Sequence, residues 1–140
     1  EAVAAAAAGR RAPVTELEVA ARAEELRSRE EGFVSLSFAS ISASGPHAAL
    51  PHYEVTRESN RELAVGEVFL LDSGAQFVDG TTDVTRTVVV GPASQEQREV
   101  YTRVLQGHIG LASAVFPEGT GGYQLDILAR VPMWRCGLDY

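Results

Sequence analysis

The sequence predicts an α+β fold, and three observations lead to this fold class. Capping boxes, in which Ser or Thr is followed three residues later by Glu or Gln, begin at Thr15 and at Ser94 and predict two helix starts. Residues 67–78 and 81–90 are rich in apolar and β-branched side chains and predict a pair of strands. Because helices and antiparallel strands are mixed along 140 residues, a single α+β domain is expected.

The first part of the chain predicts one helix and two further strands. The helix that begins at Thr15 carries an apolar stripe as far as the glycine at position 32. Residues 33–41 partly alternate between apolar and polar side chains, which predicts a strand. A short strand is also predicted from Leu50 to Val55, and Pro51 limits its pairing.

The later part predicts a buried strand and two helices. The continuous apolar run at residues 68–71 is typical of a strand that is buried on both faces. The second helix holds an apolar face at helical spacing over residues 100–115 and should end before Pro117. A shorter helix is predicted from about Tyr123 to Arg130, because Pro132 should limit it.

Composition and charge exclude several classes of partner. The formal net charge is −7 and no basic block offsets it, so no nucleic-acid partner is expected. No apolar run approaches the ~18 residues that suggest a membrane span, so no membrane partner is expected either. Cys136 is the only cysteine, which excludes an internal disulfide and favours a reduced, cytoplasmic setting.

Two aspartates stand in or beside the predicted strand pair. Asp72 directly follows the buried-looking strand, and Asp83 lies among β-branched residues. Carboxylates are poor strand residues and are costly to bury without a partner. A metal ion would supply the missing charge, and oxygen ligands suit hard divalent ions such as Mn²⁺. On the residues alone, the plainer interpretation of both aspartates as turn formers stays ahead.

The wider sequence around these aspartates resembles a known family. Asp-Ser-Gly at 72–74 and Asp-Gly-Thr-Thr-Asp-Val-Thr-Arg-Thr at 79–87 resemble the signature of the pita-bread metallopeptidases, most of all the cytosolic-type X-Pro aminopeptidases. The resemblance extends from about Val14 to the end of the chain. Further similar positions are 33–41, 44–46, 52–53, 56–61, 107–109, 114–117, 125–126, 129–130, 134 and 137–140.

The resemblance implies a site and an activity. It implies that Asp72 binds one ion of a metal pair, that Asp83 bridges both ions, and that His52 contacts the substrate near the scissile bond. Two divalent ions are implied, for which we expect Mn²⁺. The implied reaction is hydrolysis of the N-terminal residue that precedes proline in a peptide. The implied fold is an incomplete pita-bread domain of the creatinase/aminopeptidase kind.

The resemblance also implies metal ligands that these residues do not contain. In the family, a histidine and two glutamates follow the position of Gly137–Tyr140, and no residue here matches them. Residues 1–140 are therefore expected to form the N-terminal portion of a catalytic domain, inactive by itself. The alternative is a truncated or degenerate relative that acts as a binding or inert module. We expect the cytoplasm as its location and allow for a homodimer of the full-length protein.

A second enzyme class is excluded by one residue. Val78-Asp79-Gly80-Thr81 is similar to the nucleophile loop of haloacid-dehalogenase-like phosphatases. In those enzymes an aspartate two positions before the loop aspartate is the nucleophile, and Phe77 stands there in this chain. Without that carboxylate no aspartyl-phosphate can form.

The spacing of the two aspartates makes a prediction about strand register. A tight turn at Asp79-Gly80 would place Asp83 opposite Gln76, too far along the ladder for Asp72 to share a metal site. We therefore predict that Asp72 and Asp83 lie directly opposite each other on one face, joined by a wider loop within residues 75–80.

Overall fold

The structure is a computed structural model that describes residues 13–140, and these form two compact units that meet in sequence at Pro92 and Ala93. The first unit contains one long helix, a 3₁₀ helix and all the strands described; the second contains two helices. The elements in chain order are α1 (Glu16–Ser28), β1 (Phe33–Leu36), β2 (Ile41–Ser44), the 3₁₀ helix Gly45–Ala49, β3 (Val68–Ser73), β4 (Ala75–Phe77), β5 (Gly80–Thr81), β6 (Val84–Val89), α2 (Gln95–Ala112) and α3 (Gly122–Trp134).

The strands of the first unit form two antiparallel sheets of three strands each, and one hairpin contributes strands to both sheets. In the first sheet β3 is central and pairs with β2 on one side and β6 on the other. In the second sheet β4 is central, between β1 and β5. The chain passes from one sheet to the other at Gly74 on the outgoing arm of the hairpin and at residues 82–83 on the returning arm.

Helix α1 begins as the sequence predicts and packs against β2 and β1. Thr15 Oγ1 accepts the Glu18 N–H at 3.3 Å, and the Glu18 carboxylate accepts the Thr15 N–H at 2.9 Å, so the capping box is confirmed. The apolar core beneath the first sheet is small and consists of buried residues with two half-buried neighbours. Its members are Leu63, Phe69, Val90, Val19 and Leu71.

The second unit is a pair of helices in close contact. The capping box at Ser94 is confirmed, with Ser94 Oγ accepting the Gln97 N–H at 3.1 Å. Gly107 is buried at the crossing, where a Cβ atom would lie only 2.1 Å from the Ala129 carbonyl oxygen. The glycine therefore allows the backbones of α2 and α3 to approach more closely than any side chain would permit.

Several predicted boundaries are wrong. The predicted strand at 33–41 ends at Leu36, and Ile41 begins a new strand that belongs to the other sheet. No strand forms from Leu50 to Val55, where the chain turns. Within the run at 68–71 only Phe69 is fully buried, so this strand is only half-buried overall. Helix α2 ends at Ala112, earlier than predicted, and many side chains of its apolar face are exposed.

Helix α3 extends past the predicted limit at Arg130 and includes Pro132. Proline has no N–H to donate to Leu128 and its ring crowds the Leu128 carbonyl, yet the next turn forms. The Arg135 N–H donates to the Val131 carbonyl at 3.2 Å, and Met133 is buried. Packing of the last turn therefore outweighs the local effect of proline.

None of the helices described within residues 13–140 is both long enough and apolar enough to cross a membrane.

The helix crossing makes a stability prediction with a matched control three residues away. Gly107→Ala should destabilise the helix pair by about 1–3 kcal/mol, because its Cβ would collide with the Ala129 carbonyl. At Gly110 a Cβ would lie 3.7 Å from the Leu128 carbonyl oxygen, an ordinary contact. Gly110→Ala should therefore stabilise by up to about 1 kcal/mol through helix propensity.

Urea unfolding followed by the fluorescence of Trp134 measures both variants, since Trp134 is the only tryptophan and lies on α3. Equal midpoints for the two variants would contradict the close helix crossing.

Candidate metal centre

Asp72 lies near the end of β3, the central strand of the first sheet, and has one oxygen without a partner. It lies on the central strand β3, opposite Ile41 of β2 and Thr85 of β6, so its backbone is fixed from both sides. Its Oδ1 atom is buried and has no hydrogen-bond partner among the residues described. An unsatisfied buried acceptor costs about 1–3 kcal/mol, and more when it is charged. Such an oxygen calls for a cation or a donor that the described residues do not provide.

The register places Asp83 diagonally from Asp72. Asp72 pairs with Thr85, and the same register continues beyond the break, where Gln76 pairs with Thr81. Asp83 is two residues before Thr85 and directly precedes β6, at the point where the chain crosses between the sheets. In a regular ladder such diagonal neighbours are about 7–8 Å apart between Cα atoms. Asp83 is exposed and Asp72 is half-buried.

Both registers considered from the sequence are wrong. Asp83 does not lie directly opposite Asp72, and it does not pair with Gln76. The loop is neither wide nor centred on Asp79-Gly80, because Phe77 pairs with Gly80 and leaves only residues 78–79 at the tip. A type I′ turn at Asp79-Gly80 needs positive φ at both positions, and neither is among the positive-φ residues of the described chain.

Gly74 allows three segments to meet between the two aspartates. The Gly74 carbonyl accepts the Ser37 N–H at 3.2 Å, and Ser37 Oγ donates to the Thr82 carbonyl at 3.0 Å. A Cβ atom on Gly74 would lie 2.0 Å from the Thr82 carbonyl oxygen and 2.5 Å from Ser37 Oγ. The missing side chain thus lets the hairpin pass from one sheet to the other directly beside Asp83.

His52 lies on an exposed turn that follows the 3₁₀ helix. The turn is closed by the Tyr53 N–H, which donates to the Leu50 carbonyl at 3.2 Å. Within residues 13–140, no hydrogen bond or ion pair joins His52 to Asp72 or Asp83. The structure places Asp83 beside the end of the ladder that holds Asp72 and leaves the imidazole of His52 open to solvent.

Sequence reasoning missed a buried acid in the same unit. Glu16, the first residue of α1, is completely buried, and its carboxylate contacts Ser44, His47 and Tyr53. An acid in the first helical turn is ordinarily explained by the helix dipole, so the sequence alone gave no reason to expect burial. The only available signal was the series of polar side chains on β2 and the following turn.

The donors present fit a hard divalent cation. Asp72 offers an unpartnered oxygen, and Asp83, two residues before the strand partner of Asp72, adds a second carboxylate, so both side chains offer oxygen donors alone. No group of three or more His, Cys, Asp or Glu side chains that could hold a metal occurs within residues 13–140. These features define the chain as an α+β module with part of a candidate metal centre.

The chain belongs to metallopeptidase family M24, whose family profile matches residues 1–140. Among curated relatives, aminopeptidase P2 of Arabidopsis thaliana is 53% identical over 129 residues, which are 92% of this chain and 18% of that protein. Aminopeptidase P1 of the same plant is 50% identical over 127 residues, or 91% of this chain and 20% of the relative. The chain thus spans about a fifth of the length of the curated relatives it matches.

Solved structures show the same similarity in three dimensions. The X-prolyl aminopeptidase of Caenorhabditis elegans, described as a cytosolic enzyme with a di-nuclear active site, is 51% identical and superimposes with a TM-score of 0.81. The match covers 90% of this chain and 21% of that one. The X-Pro aminopeptidase of Thermotoga maritima is 33% identical with a TM-score of 0.76, over 94% of this chain and 36% of that one. The expected α+β, pita-bread fold is confirmed.

The crossing at Gly74 makes the second prediction. Gly74→Ala should weaken the hairpin by at least about 1 kcal/mol through the collision with Thr82 and Ser37, which corresponds to amide exchange about fivefold faster across β3 and β6. Gly80→Ala is the matched control in the same hairpin, because a Cβ there meets nothing within 4 Å. Hydrogen exchange measured residue by residue tests both variants. Unchanged exchange in Gly74→Ala would show that the close approach is not needed.

Proposed function

We propose that residues 1–140 form the N-terminal portion of the catalytic domain of an Xaa-Pro aminopeptidase, which releases the N-terminal residue that precedes proline. The observation that carries this proposal is the unpartnered buried oxygen of Asp72 on the central strand, with Asp83 only two residues before Thr85, the strand partner of Asp72. Relatives that are named aminopeptidase P and are 50% and 53% identical to this chain support the choice of substrate. The substrate is a peptide with proline in second position.

We assign the two aspartates to a pair of divalent ions. Asp72 would hold one ion through its unpartnered Oδ1, and Asp83 would bridge the pair from the neighbouring strand. Mn²⁺ is the proposed metal, because the donors are hard oxygens. When bound, such ions polarise the scissile carbonyl and make water a better nucleophile. This chain would supply Asp72 from a backbone fixed by pairing on both sides of β3, and Asp83 from the residue directly before β6.

His52 is the proposed contact to the substrate. Its imidazole is exposed on a closed turn and is not occupied by Asp72 or Asp83, so a ring nitrogen is available to donate a hydrogen bond to the peptide near the scissile bond. The cytoplasm is the proposed location, since the similar enzyme of Caenorhabditis elegans is described as cytosolic. A homodimer of the full-length protein stays a prediction.

A non-catalytic role is the second candidate, and the ligand count of the described residues favours it for this segment taken alone. Two carboxylates without a third metal-binding side chain nearby leave most of the coordination of each ion to other groups. The segment can therefore bind or assemble without catalysing.

The two aspartates should differ in their effect on metal content. In a protein that joins this chain to the remaining ligands of the family, Asp83→Ala should lose both ions, whereas Asp72→Ala should lose mainly one, because only Asp83 is assigned to both. Metal analysis after dialysis gives the stoichiometry. Asp79→Ala removes an exposed carboxylate at the tip of the same hairpin and is the control, with two ions retained. Retention of both ions in Asp83→Ala would refute the bridging role.

Activity on proline peptides tests the function itself. With Mn²⁺ present, the protein that contains all the ligands should release arginine from Arg-Pro and leave Arg-Ala uncut. The 140-residue chain alone should show no turnover above the metal-only blank. Comparable cleavage of both dipeptides would exclude proline specificity, and turnover by the 140-residue chain would contradict the assigned ligand set.

A further inference from the structure

The carboxylate of Glu16 is buried at a point where three parts of the first unit meet. Glu16 is 0% exposed, although it is the first residue of α1 and most other residues of that helix reach solvent. Its backbone N–H donates to the Arg61 carbonyl at 3.0 Å, and its backbone carbonyl accepts from Ser42 Oγ at 2.8 Å. The main chain of Glu16 is thus held before its side chain is considered.

Two donors and an imidazole from one short segment surround the carboxylate. The Ser44 N–H donates to Oε1 at 2.6 Å, and the Tyr53 hydroxyl donates to Oε2 at 2.9 Å. His47 Nδ1 lies 3.0 Å from Oε1 and 3.1 Å from Oε2. All three groups lie within residues 44–53, so the Glu16 carboxylate contacts the first residue, the last residue and one residue between them.

The polar groups around the Glu16 carboxylate have hydrogen-bond or ion-pair partners. Burial above all, with the neighbouring Glu16 carboxylate adding to it, raises the pKa of Tyr53 above its ordinary value, so the phenol stays protonated and can donate at neutral pH. The other charged groups at this position are Arg61 and Glu67, which pair with each other at 2.7 Å. They are therefore not free to replace His47 as the partner of Glu16.

The segment held by Glu16 is the one that carries His52. The rings of His47 and Tyr53 stack with centroids 4.3 Å apart, so the two ends of the turn are joined to each other as well as to the acid. Tyr53 is buried, while its neighbour His52 is exposed. The anchor therefore fixes the backbone at His52 and leaves the imidazole free to meet another molecule.

Glu16 also holds the strand beside Asp72. The Ser42 hydroxyl donates to the backbone carbonyl of Glu16, and the Ser44 N–H donates to its carboxylate. Both serines belong to β2, whose first residue Ile41 pairs with Asp72. Glu16 is thus connected to the turn of His52 on one side and to the partner strand of Asp72 on the other. Displacement of Glu16 would change the position of the His52 turn relative to β2, the partner strand of Asp72.

We infer that Glu16 is a positioning residue, whose buried carboxylate sets the turn of His52 against the strand that carries Asp72. This inference rests on the proposed function, in which His52 meets the substrate and Asp72 holds metal. Glu16 touches neither substrate nor metal and acts only through Ser44, His47 and Tyr53.

The first test uses the 140-residue chain and does not depend on activity. Glu16→Gln keeps the size of the side chain but replaces one acceptor by a donor that faces His47 or Tyr53. Amide exchange in residues 45–53 should rise about tenfold or more, while exchange in β3 and β6 stays within about twofold. Glu24→Gln, an exposed glutamate on the same helix, is the matched control and should change neither region.

The pattern of exchange decides between positioning and general stability. A uniform rise across the first unit would assign Glu16 a merely structural role, and no rise in residues 45–53 would overturn the inference outright. If Glu16→Gln fails to fold, Tyr53→Phe removes one of the two donors and keeps the ring that stacks on His47. It should still loosen residues 45–53 selectively, and unchanged exchange in that variant would also overturn the inference.

A second measurement separates this inference from the proposed function. In a protein with all the ligands, Glu16→Gln should lower kcat on Arg-Pro about tenfold or more with both ions retained, as His52→Ala should. If loop exchange responds to Glu16→Gln but His52→Ala leaves kcat unchanged, the role of His52 fails and the anchoring of the turn stands. Loss of metal in Glu16→Gln would instead contradict positioning through the His52 turn.

Discussion

The central strand β3 is hydrogen-bonded along both edges, and the rest of the first unit depends on that double pairing. A strand in this position cannot shift by one residue without turning every side chain to the opposite face. The pairing with β2 and β6 therefore fixes which face Asp72 occupies, and it carries the same register through the crossing at Gly74 to the tip of the hairpin. Asp83 lies two residues before the strand partner of Asp72 because the register does not change at the break.

Two acids with buried carboxylate oxygens in the same unit illustrate how hydrogen bonding distinguishes a structural carboxylate from a candidate ligand. Glu16 is fully buried and receives hydrogen bonds from a backbone amide and a phenol, with an imidazole beside it. Asp72 has a buried oxygen with no partner among the residues described. Both carboxylates pay for leaving water, but only Glu16 regains its hydrogen bonds within the unit. The difference makes Asp72 the candidate ligand of a cation and Glu16 an internal anchor.

Close backbone approach is the second recurring device of this chain. Gly74 lets the hairpin cross between two sheets, and Gly107 lets two helices meet at the Ala129 carbonyl. In each case a single Cβ atom would overlap a carbonyl oxygen, so the constraint is steric and does not depend on positive φ. Because relatives of the chain are about five times longer, these crossings belong to a segment of a larger family fold, and each unit is built by its own local contacts.

The sequence by itself determined the elements that are governed by local chemistry and the family to which they belong. Both capping boxes formed where Thr15 and Ser94 predicted, since a cap needs only residues within one turn. The family resemblance, drawn from residues 72–87 and the positions around them, is confirmed by the match over the whole chain. The roles assigned to Asp72, Asp83 and His52 remain predictions.

Only the tertiary structure decided register, burial and the ends of elements. The offset between Asp72 and Asp83 depends on which residues form the hairpin tip, and the local Asp-Gly signal at 79–80 gave way to pairing along two sheets. Helix α3 continues through Pro132 because packing of its last turn outweighs one missing bond. Glu16 is buried because Ser44, His47 and Tyr53, which are 28 to 37 residues away in sequence, close over it. Contacts at that separation leave no periodic trace in a sequence, and folding alone reveals them.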